Sequence, residues 1–326
     1  MKLAVVGATG EVGRMMITCL EEFAVPVESF TLLASARSAG STLYYADTAL
    51  SVRELTSAEM REPFDYVLFS AGAGVAREFA PLAAASGAVV IDNSSGFRQE
   101  KDVPLVVPEI NGNLLKGYQG IVANPNCTTI QMVLPLAVLD RLFGLRKVVV
   151  STYQSVSGSG HKGVATLESQ RAGGSENGIY PNLIDLNVIP QIGSFADNGY
   201  SQEEEKIHFE TRKILNNWNL EVSATTVRVP VIYGHCESIY AEFASEVDLS
   251  LAARELEKAE SIAFEENTYV TPRDLGNSND SHICRLRRGT GPNSLCFWNV
   301  GHNVRLGAAA NAVRILLKHA QLAGRI

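Results

Sequence analysis

A glycine-rich turn directly after an apolar segment is the feature that most constrains this chain. Residues 3–6 read Leu-Ala-Val-Val, and Gly7, Gly10 and Gly13 follow with the spacing G-x-x-G-x-x-G. A short apolar run is typical of a strand buried on both faces of a parallel sheet. Glycines at the following turn let a pyrophosphate approach the backbone and the helix N-terminus. The motif predicts a dinucleotide-binding domain, with an ordinary strand-to-helix turn as the alternative.

Predicted strands and helices alternate along the chain up to about residue 145, where the sequence pattern changes. Strands are predicted at 30–34, 66–69 and 88–91, and helices after Gly13 and over 74–86. This alternation predicts a doubly wound α/β domain of the Rossmann type. Later segments mix polar and apolar residues, which favours an α+β domain whose mixed sheet has one exposed face. Strands are expected there at 147–153, 222–231 and 239–247, a helix at 202–216, and loops at 157–163 and 173–182.

The last apolar segment decides the predicted domain organisation. Residues 308–323 are rich in Ala and Leu and predict a terminal helix, which needs a core to cover it. We expect it to pack back onto the first domain, so that the second domain is an insertion. The predicted boundaries are 1–127 with 307–326 for an NADP-binding domain, and 128–306 for a catalytic and dimerisation domain.

Composition excludes several classes of function. The 326 residues carry 28 Lys plus Arg against 35 Asp plus Glu, a net charge of −7, which argues against a nucleic-acid partner. The five cysteines are widely spaced without a C-x-x-C pair, so neither a disulfide framework nor a metal site is indicated. No apolar run approaches the ~18 residues of a membrane span. The start of the chain does not resemble a signal peptide, and we expect a cytoplasmic protein.

The end of the second predicted strand bears on the choice of cofactor. An NAD site places Asp or Glu there for the ribose hydroxyls, whereas this chain reads Ala34-Ser-Ala-Arg37-Ser38. A guanidinium and hydroxyls suit a 2′-phosphate, which favours NADP. The alternative is a solvated loop arginine.

Two residues are candidates for nucleophilic chemistry. Cys127, within Asn124-Pro-Asn126-Cys127-Thr-Thr129, precedes an apolar helix predicted over 130–142. The positive end of the helix dipole favours the thiolate, although a lone cysteine is often structural. His235 follows a glycine at a predicted strand end and can serve as general base, although a lone histidine is often structural too. Pro135 should kink the helix.

The order of the motifs along the chain resembles that of one enzyme family. Besides the segments above, the motifs are Ser94-Ser-Gly-Phe-Arg98, Gln154-Ser-Val-Ser157-Gly158-Ser-Gly160, Glu203-Glu-Glu-Lys206, Arg228-Val-Pro-Val231 and Gly234-His235-Cys-Glu237. In this order and spacing they resemble the aspartate-semialdehyde dehydrogenases, from Gly7 to the C-terminal helix.

The resemblance implies a reaction and residue roles. Cys127 would attack L-aspartyl 4-phosphate to form a thioester, NADPH would reduce it, and His235 would take and give protons. Gln154 would orient the intermediate and Asn126 would lie close by. The reaction belongs to the biosynthesis of lysine through diaminopimelate, threonine and methionine, and a homodimer or tetramer is implied.

The resemblance also implies the binding residues. Arg228 would bind the substrate carboxylate, Arg98 with Lys206 the phosphate, and Glu203 the ammonium group, with Glu204 as a rival. The residues implied to contact NADP are Gly7, Thr9, Gly10, Glu11, Val12, Gly13, Arg37, Ser38, Ser157, Gly158 and Asn303.

Three positions depart from the family's pattern, and two other functions remain open. Cys236 stands where many relatives have Ser, and His302 and Leu306 replace the Asp and Lys of a D-N-L-R-K-G segment. The alternatives are N-acetyl-γ-glutamyl-phosphate reductase, which has no need of an acid facing an ammonium group, and a non-catalytic NADP-binding relative.

Overall fold

Thirteen strands and eight α-helices build the chain in the computed structural model, which describes residues 1–326. The strands are β1 (Lys2–Val6), β2 (Ser29–Ala34), β3 (Thr42–Tyr45), β4 (Thr48–Glu54), β5 (Tyr66–Phe69), β6 (Val89–Asp92), β7 (Ile121–Ala123), β8 (Leu145–Gln154), β9 (Glu221–Arg228), β10 (His235–Phe243), β11 (Ile262–Glu265), β12 (Ser281–Arg288) and β13 (Ser294–Gly301). The helices are α1 (Glu11–Glu22), α2 (Ala73–Ala85), α3 (Pro108–Asn111), α4 (Cys127–Phe143), α5 (His161–Arg171), α6 (Gln202–Ile214), α7 (Leu249–Glu257) and α8 (Asn311–Leu322).

Short helical turns complete the secondary structure. They are 3₁₀ turns at Ala36–Ser38, Glu59–Arg61, Gly112–Leu115 and Val156–Ser159, and a π-helical segment at Arg305–Ala310. The chain divides into unit 1, Met1–Asn126 with Ala308–Ile326, and unit 2, Cys127–Gly307. No helix is both long enough and apolar enough to cross a membrane.

Unit 1 is a doubly wound domain around a seven-stranded sheet of order β3-β4-β2-β1-β5-β6-β7. All strand pairs are parallel except β3 with β4. Side chains of β1 alternate between two cores: Leu3 and Val5 join the apolar residues of α1 and α8, whereas Ala4 and Val6 join those of α2. Because both faces of the sheet are covered, the strands read as continuous apolar runs. The predicted fold class is confirmed for this unit.

The β3–β4 hairpin at the edge of this sheet has no counterpart among the predicted strands. Its turn residues Ala46 and Asp47 have φ values of 45° and 62°, a conformation that usually calls for glycine or asparagine. Most of its residues are exposed and only Leu43 and Val52 are buried, so it lacks the apolar run of the central strands. An edge strand of this kind gives a weak sequence signal.

Unit 2 contains a six-stranded mixed sheet of order β11-β12-β13-β10-β8-β9. β8 pairs with β9 and β11 with β12 in parallel, and the remaining pairs are antiparallel. Residues along β8 alternate, with Val148 and Val150 buried and Val149 and Tyr153 exposed. The prediction of a mixed sheet with one exposed face is confirmed.

Three predicted boundaries in unit 2 differ from the structure. β9 ends at Arg228, because Pro230 has no N–H to continue the ladder. β10 begins at His235, so this histidine opens a strand instead of following one. The predicted loop at 157–163 contains the start of α5, a helix that buries only Gly163, Leu167 and Gln170 and so lacks a clear apolar stripe.

The C-terminal helix α8 is part of the core of unit 1. Leu316 is fully buried in the cluster that also contains Leu3 and Val5, whereas Leu322 on the same helix is exposed. Leu316→Ala should lower the free energy of unfolding by about 2–5 kcal/mol through the cavity it leaves. The matched Leu322→Ala variant should lose less than about 1 kcal/mol. Urea denaturation followed by circular dichroism measures both, and equal losses would contradict this packing.

Candidate active site

The glycine turn after β1 leaves no room for side chains. Gly7 has φ +78°, and a Cβ atom there would lie 2.8 Å from the carbonyl oxygen of Ser70. A Cβ at Gly13 would lie 2.2 Å from the carbonyl oxygen of Gly7, so α1 packs against the turn only because residue 13 is glycine. Gly10 precedes α1, and no side chain caps the helix. The N–H groups at the start of α1 can therefore receive an anion such as a pyrophosphate.

The other residues predicted to contact the cofactor in unit 1 flank this turn. Thr9, Glu11 and Val12 are half-buried in the turn and the first residues of α1. Arg37 is exposed and Ser38 half-buried in the 3₁₀ turn after β2, and no acidic residue occupies the end of that strand. A strand end without an acid lacks the usual partner of the ribose hydroxyls in NAD sites.

Unit 1 also contains Arg98 and Asn126. Arg98 is buried and donates a hydrogen bond from Nη2 to the carbonyl oxygen of Asn93 at 2.9 Å. The neighbouring Asp92 is held by Ser94, and burial raises the pKa of its carboxyl. Asn126 is buried as the last residue of the first segment of unit 1.

Cys127 is the first residue of α4, in unit 2. The helix is buried along nearly its whole length, whereas the Cys127 residue is half-buried. A Cβ atom at Gly307 would lie 2.7 Å from the Cβ of Cys127, so only glycine fits beside it. The first turn of a helix presents N–H groups that stabilise a thiolate.

His235 is completely buried and has its tautomer set by the backbone. Its Nδ1 lies 3.0 Å from the backbone N–H of Ser155 and 3.1 Å from Oγ of the same residue. A backbone N–H can only donate, so Nδ1 accepts and the proton of the neutral ring is on Nε2. Burial, with the charge of Arg228, lowers the pKa of His235 to about 3. The ring is therefore neutral, with an Nε2–H that has no partner in the protein.

Arg228 and His235 face the same small space. A Cβ at Gly158 would lie 2.9 Å from Nη1 of Arg228 and 3.2 Å from Nε2 of His235. The Arg228 guanidinium donates to the carbonyl oxygen of Ser155 at 2.6 Å. Burial lowers the pKa of Arg228, whereas the nearby Glu203 and Cys127 oppose this shift.

Gln154, Glu203 and Lys206 form a connected polar group in unit 2. Nε2 of Gln154 lies 3.4 Å from Oε1 of Glu203, and Nζ of Lys206 lies 3.0 Å from Oε2 of the same carboxylate. Gln154 and Glu203 are buried, while Lys206 is half-buried. Both carboxylate oxygens of Glu203 are thus paired inside unit 2.

Glu204, the rival of Glu203, is occupied elsewhere. It accepts hydrogen bonds from the backbone N–H of Ser201 at 2.7 Å and of Thr226 at 2.8 Å. The first of these belongs to a capping box that starts α6. Glu204 therefore joins α6 to β9.

Asn303 and Ser157 hold the loops around His235 together. Oδ1 of Asn303 accepts from the backbone N–H of Gly234 at 2.9 Å and from Oγ of Ser155 at 3.3 Å. Its Nδ2 donates to Oγ of Ser157 at 2.9 Å. Both ends of the Asn303 amide are thus used inside unit 2.

The three departures from the family pattern lie close to these residues in the sequence. Burial raises the pKa of the Cys236 thiol to about 12, which disfavours its reactive thiolate form. His302 stacks on Tyr233 with ring centroids 5.5 Å apart, and burial lowers its pKa to about 4. Leu306 is fully buried.

Sequence reasoning missed Ser155 and Gly307. Ser155 acts through a backbone N–H, which every residue except proline has, so no sequence signal marks it. Gly307 belongs to the segment that resembles D-N-L-R-K-G, and its proximity to Cys127 depends on the fold alone. The structure contains no group of three or more His, Cys, Asp or Glu side chains that could hold a metal ion.

Comparisons with known proteins identify the family of this chain. A family model described as the NAD-binding domain of semialdehyde dehydrogenase matches residues 2–118. The model of the semialdehyde dehydrogenase dimerisation domain matches residues 135–306. An aspartate-semialdehyde dehydrogenase from Campylobacter jejuni is 44% identical, with 98% of each chain covered. One from Bacillus subtilis is 41% identical, covering 96% of this chain and 95% of the relative.

Solved structures give the same result. The crystal structure of aspartate semialdehyde dehydrogenase II from Vibrio cholerae complexed with ASA has a TM-score of 0.95 at 38% identity, with 98% of each chain covered. The enzyme from Candida albicans with NADP has a TM-score of 0.75 at 25% identity, with 100% of each chain covered. The chain therefore belongs to the aspartate-semialdehyde dehydrogenase family of oxidoreductases.

Proposed function

We propose that this protein converts L-aspartyl 4-phosphate, with NADPH, to L-aspartate 4-semialdehyde and phosphate through a thioester on Cys127. The observation that carries this proposal is the position of Arg228. Its guanidinium shares the space at Gly158 with His235 and is within electrostatic reach of Cys127 and Glu203. A nucleophile, a proton donor and receptors for both charges of an amino acid thus surround one point.

The first half of the reaction is acyl transfer to sulfur. The Cys127 thiolate attacks the acyl carbon, the new C–S bond forms, and the C–O bond to phosphate breaks with release of inorganic phosphate. The N-terminus of α4, Arg228 and the Nε2–H donor of His235 stabilise the thiolate, so His235 need not remove a proton from the thiol first. Gln154 orients the acyl group, and Asn126 precedes the nucleophile.

The second half is reduction of the thioester. When bound, NADPH supplies the hydride for the acyl carbon. His235 shares its Nε2 proton with the oxygen that becomes negative and recovers it when the C–S bond breaks. Cys127 leaves as a thiolate and is ready for the next cycle.

Four charged residues account for substrate recognition. Arg228 binds the α-carboxylate in its planar fork, Glu203 binds the ammonium group, and Arg98 and Lys206 bind the phosphate. Support for Glu203 over Glu204 comes from the capping role of Glu204. The ion pair between Lys206 and Glu203 keeps Lys206 close to the proposed substrate site.

The cofactor assignment rests on unit 1. Gly7, Gly10 and Gly13, with Thr9, Glu11 and Val12, would hold the pyrophosphate, and Arg37 with Ser38 the 2′-phosphate of NADP. Ser157, Gly158 and Asn303 complete the proposed cofactor residues in unit 2. The absence of an acid at the end of β2 supports NADP over NAD, as does the relative solved with NADP.

The proposed assembly is a homodimer formed through unit 2. The matching family domain is named a dimerisation domain, and the unit 2 sheet has an exposed face with Val149 and Tyr153. The half-buried Trp298 lies beside Tyr153, with ring centroids 5.5 Å apart. The same proposal assigns cofactor binding to residues 1–127 with 307–326 and catalysis to 128–306. The reaction would serve the synthesis of lysine through diaminopimelate, threonine and methionine in the cytoplasm.

Replacement of Cys127 tests the central step. The purified protein should form NADPH from aspartate semialdehyde only when phosphate is present. Cys127→Ser should lose at least about 10³-fold in turnover while still binding NADPH, because a hydroxyl is a poor nucleophile and leaving group. Intact-protein mass spectrometry should detect the acyl adduct in the parent protein alone.

The matched control is Cys296→Ser, a half-buried thiol on β13, which should keep its activity. Near-normal turnover of Cys127→Ser would contradict the thioester. Faster reaction with N-acetylglutamate semialdehyde would instead favour the N-acetyl-γ-glutamyl-phosphate reductase alternative. Absence of turnover with either aldehyde would favour a non-catalytic relative.

Arg37→Ala tests the choice of cofactor. Loss of the guanidinium should cost about 1.5–3 kcal/mol, roughly ten- to a hundredfold in affinity for NADP. NAD binding should stay the same, since NAD lacks the 2′-phosphate. Fluorescence titration with both cofactors measures this, and unchanged NADP binding would assign the phosphate to another residue.

Exchange of each arginine for lysine tests the division of the anions. Arg228→Lys keeps the charge but loses the bidentate fork, so KM for the semialdehyde should rise about tenfold or more. Arg98→Lys should raise KM for phosphate by less, because phosphate also accepts a point charge. Kinetics that vary each substrate in turn separate the two effects. An increase confined to the same substrate in both variants would refute the division.

A further inference from the structure

Helix α4 contains a proline that changes the hydrogen bonding between this helix and the strand that carries His235. Pro135 lies in the interior of the helix and has no N–H, so the carbonyl oxygen of Gln131, four residues earlier, lacks its normal helical partner. The helix nevertheless continues to Phe143. A buried carbonyl oxygen of this kind must find another donor.

Two polar side chains from the sheet of unit 2 bond to this carbonyl oxygen. Nδ2 of Asn299 donates to it at 2.9 Å. Oγ of Ser281 lies 3.0 Å from it and 2.7 Å from Oδ1 of Asn299, so the single hydroxyl proton is shared between these two acceptors. Ser281 opens β12 and Asn299 lies on β13, and all three residues are completely buried. In place of one hydrogen bond inside the helix, the carbonyl oxygen of Gln131 therefore contacts two side chains of the sheet, Asn299 and Ser281.

The same side chains connect to the strand that holds His235. Nδ2 of Asn299 also donates to Oε2 of Glu237 at 2.8 Å, and the two residues are directly opposite each other on β13 and β10. Glu237 follows His235 by two residues, so both side chains are on the same face of the strand. Glu237 is completely buried.

Gln131 completes the connection through its own side chain. Its Nε2 donates to the carbonyl oxygen of His235 at 3.3 Å. Gln131 also follows Cys127 by four residues, which places the two on one face of α4. A Cβ at Gly301 would lie 2.6 Å from Oε1 of Gln131, so the glycine opposite His235 makes room for this amide.

We infer that Gln131, Asn299 and Glu237 form a positioning network that sets Cys127 relative to His235. This inference rests on the proposed function, because it assumes that these two residues act together. None of the three members touches the substrate in the assigned roles; each acts through the backbone of α4 or β10. Burial raises the pKa of Glu237 well above its usual range, against the opposing hydrogen bonds of Gln131 and Asn299. This direction favours the neutral carboxyl, whose part in the network is shape and hydrogen bonding.

Two variants of matched size separate positioning from charge. Asn299→Leu removes both donated hydrogen bonds and should lower kcat by about ten- to a hundredfold, with each KM within about twofold. Glu237→Gln keeps a neutral group of the same shape and should retain most of kcat. Loss of activity in Glu237→Gln comparable to that of Asn299→Leu would overturn the network as described.

A coupling measurement distinguishes positioning from mere structural support. Iodoacetamide alkylation of Cys127, followed by mass spectrometry, does not depend on the identity of the substrate. His235→Ala should slow this alkylation in the parent protein. The ratio of the alkylation rates without and with His235→Ala should be at least about threefold smaller when Asn299→Leu is also present. An unchanged factor in a folded Asn299→Leu protein would refute the inference, even where the aspartate semialdehyde assay succeeds.

Folding controls and a replacement variant cover the case in which Asn299→Leu does not fold. Circular dichroism and NADP binding report folding for each protein. Should Asn299→Leu unfold, Ser281→Ala replaces it, since it removes one of the two donors to the Gln131 carbonyl without touching Glu237. A reduced coupling between Cys127 and His235 would support the network, and an undiminished coupling would refute it. Alkylation data remain interpretable if the proposed substrate proves wrong.

Discussion

The end of one mixed sheet determines where the reactive groups of this protein meet. Gln154 and Arg228 are the last residues of the parallel strands β8 and β9 and pair directly with each other. His235 is the first residue of the antiparallel strand β10, whose next residue pairs with Tyr153. Strand direction and register alone therefore bring an amide, a guanidinium and an imidazole to the same edge.

The electrostatics of this edge follow from its burial. Arg228 and His235 are both buried, and a low dielectric medium cannot hold two adjacent cations. The imidazole is the group that stays neutral, because its Nδ1 accepts a backbone hydrogen bond that a doubly protonated ring could not accept. One permanent positive charge and one neutral donor result, an arrangement suited to a substrate that is anionic and passes through an oxyanion.

Sequence reasoning predicted the parts of the structure that depend on local pattern. β5 occupies the predicted residues 66–69, and the glycine turn and the helix that follows it are where the motif places them. Weakly patterned elements such as α5 and the β3–β4 hairpin were not predicted, because neither has an apolar period. The motifs also predicted both Arg228 and His235 as site residues. The structure shows that the two side chains share the space at Gly158.

The contacts that remained beyond prediction join distant parts of the chain or use backbone atoms. Pro135 predicted a disturbed helix, but the donors that bond to the Gln131 carbonyl come from 150 and 168 residues further along the chain. The hydrogen bond from Ser155 to His235 depends on a main-chain N–H that has no residue preference. Such features follow from tertiary packing and become visible only with the coordinates.

The neutral imidazole of His235 has a consequence for ligand design. A compound that relies on a negative group to attract this ring would find no charge there, since the pKa of about 3 keeps it neutral. A carbonyl or sulfoxide oxygen directed at Nε2, with a carboxylate directed at Arg228, would match both groups at once. A ligand for this site should therefore combine a neutral hydrogen-bond acceptor for His235 with a single anion for Arg228, both within reach of the space at Gly158.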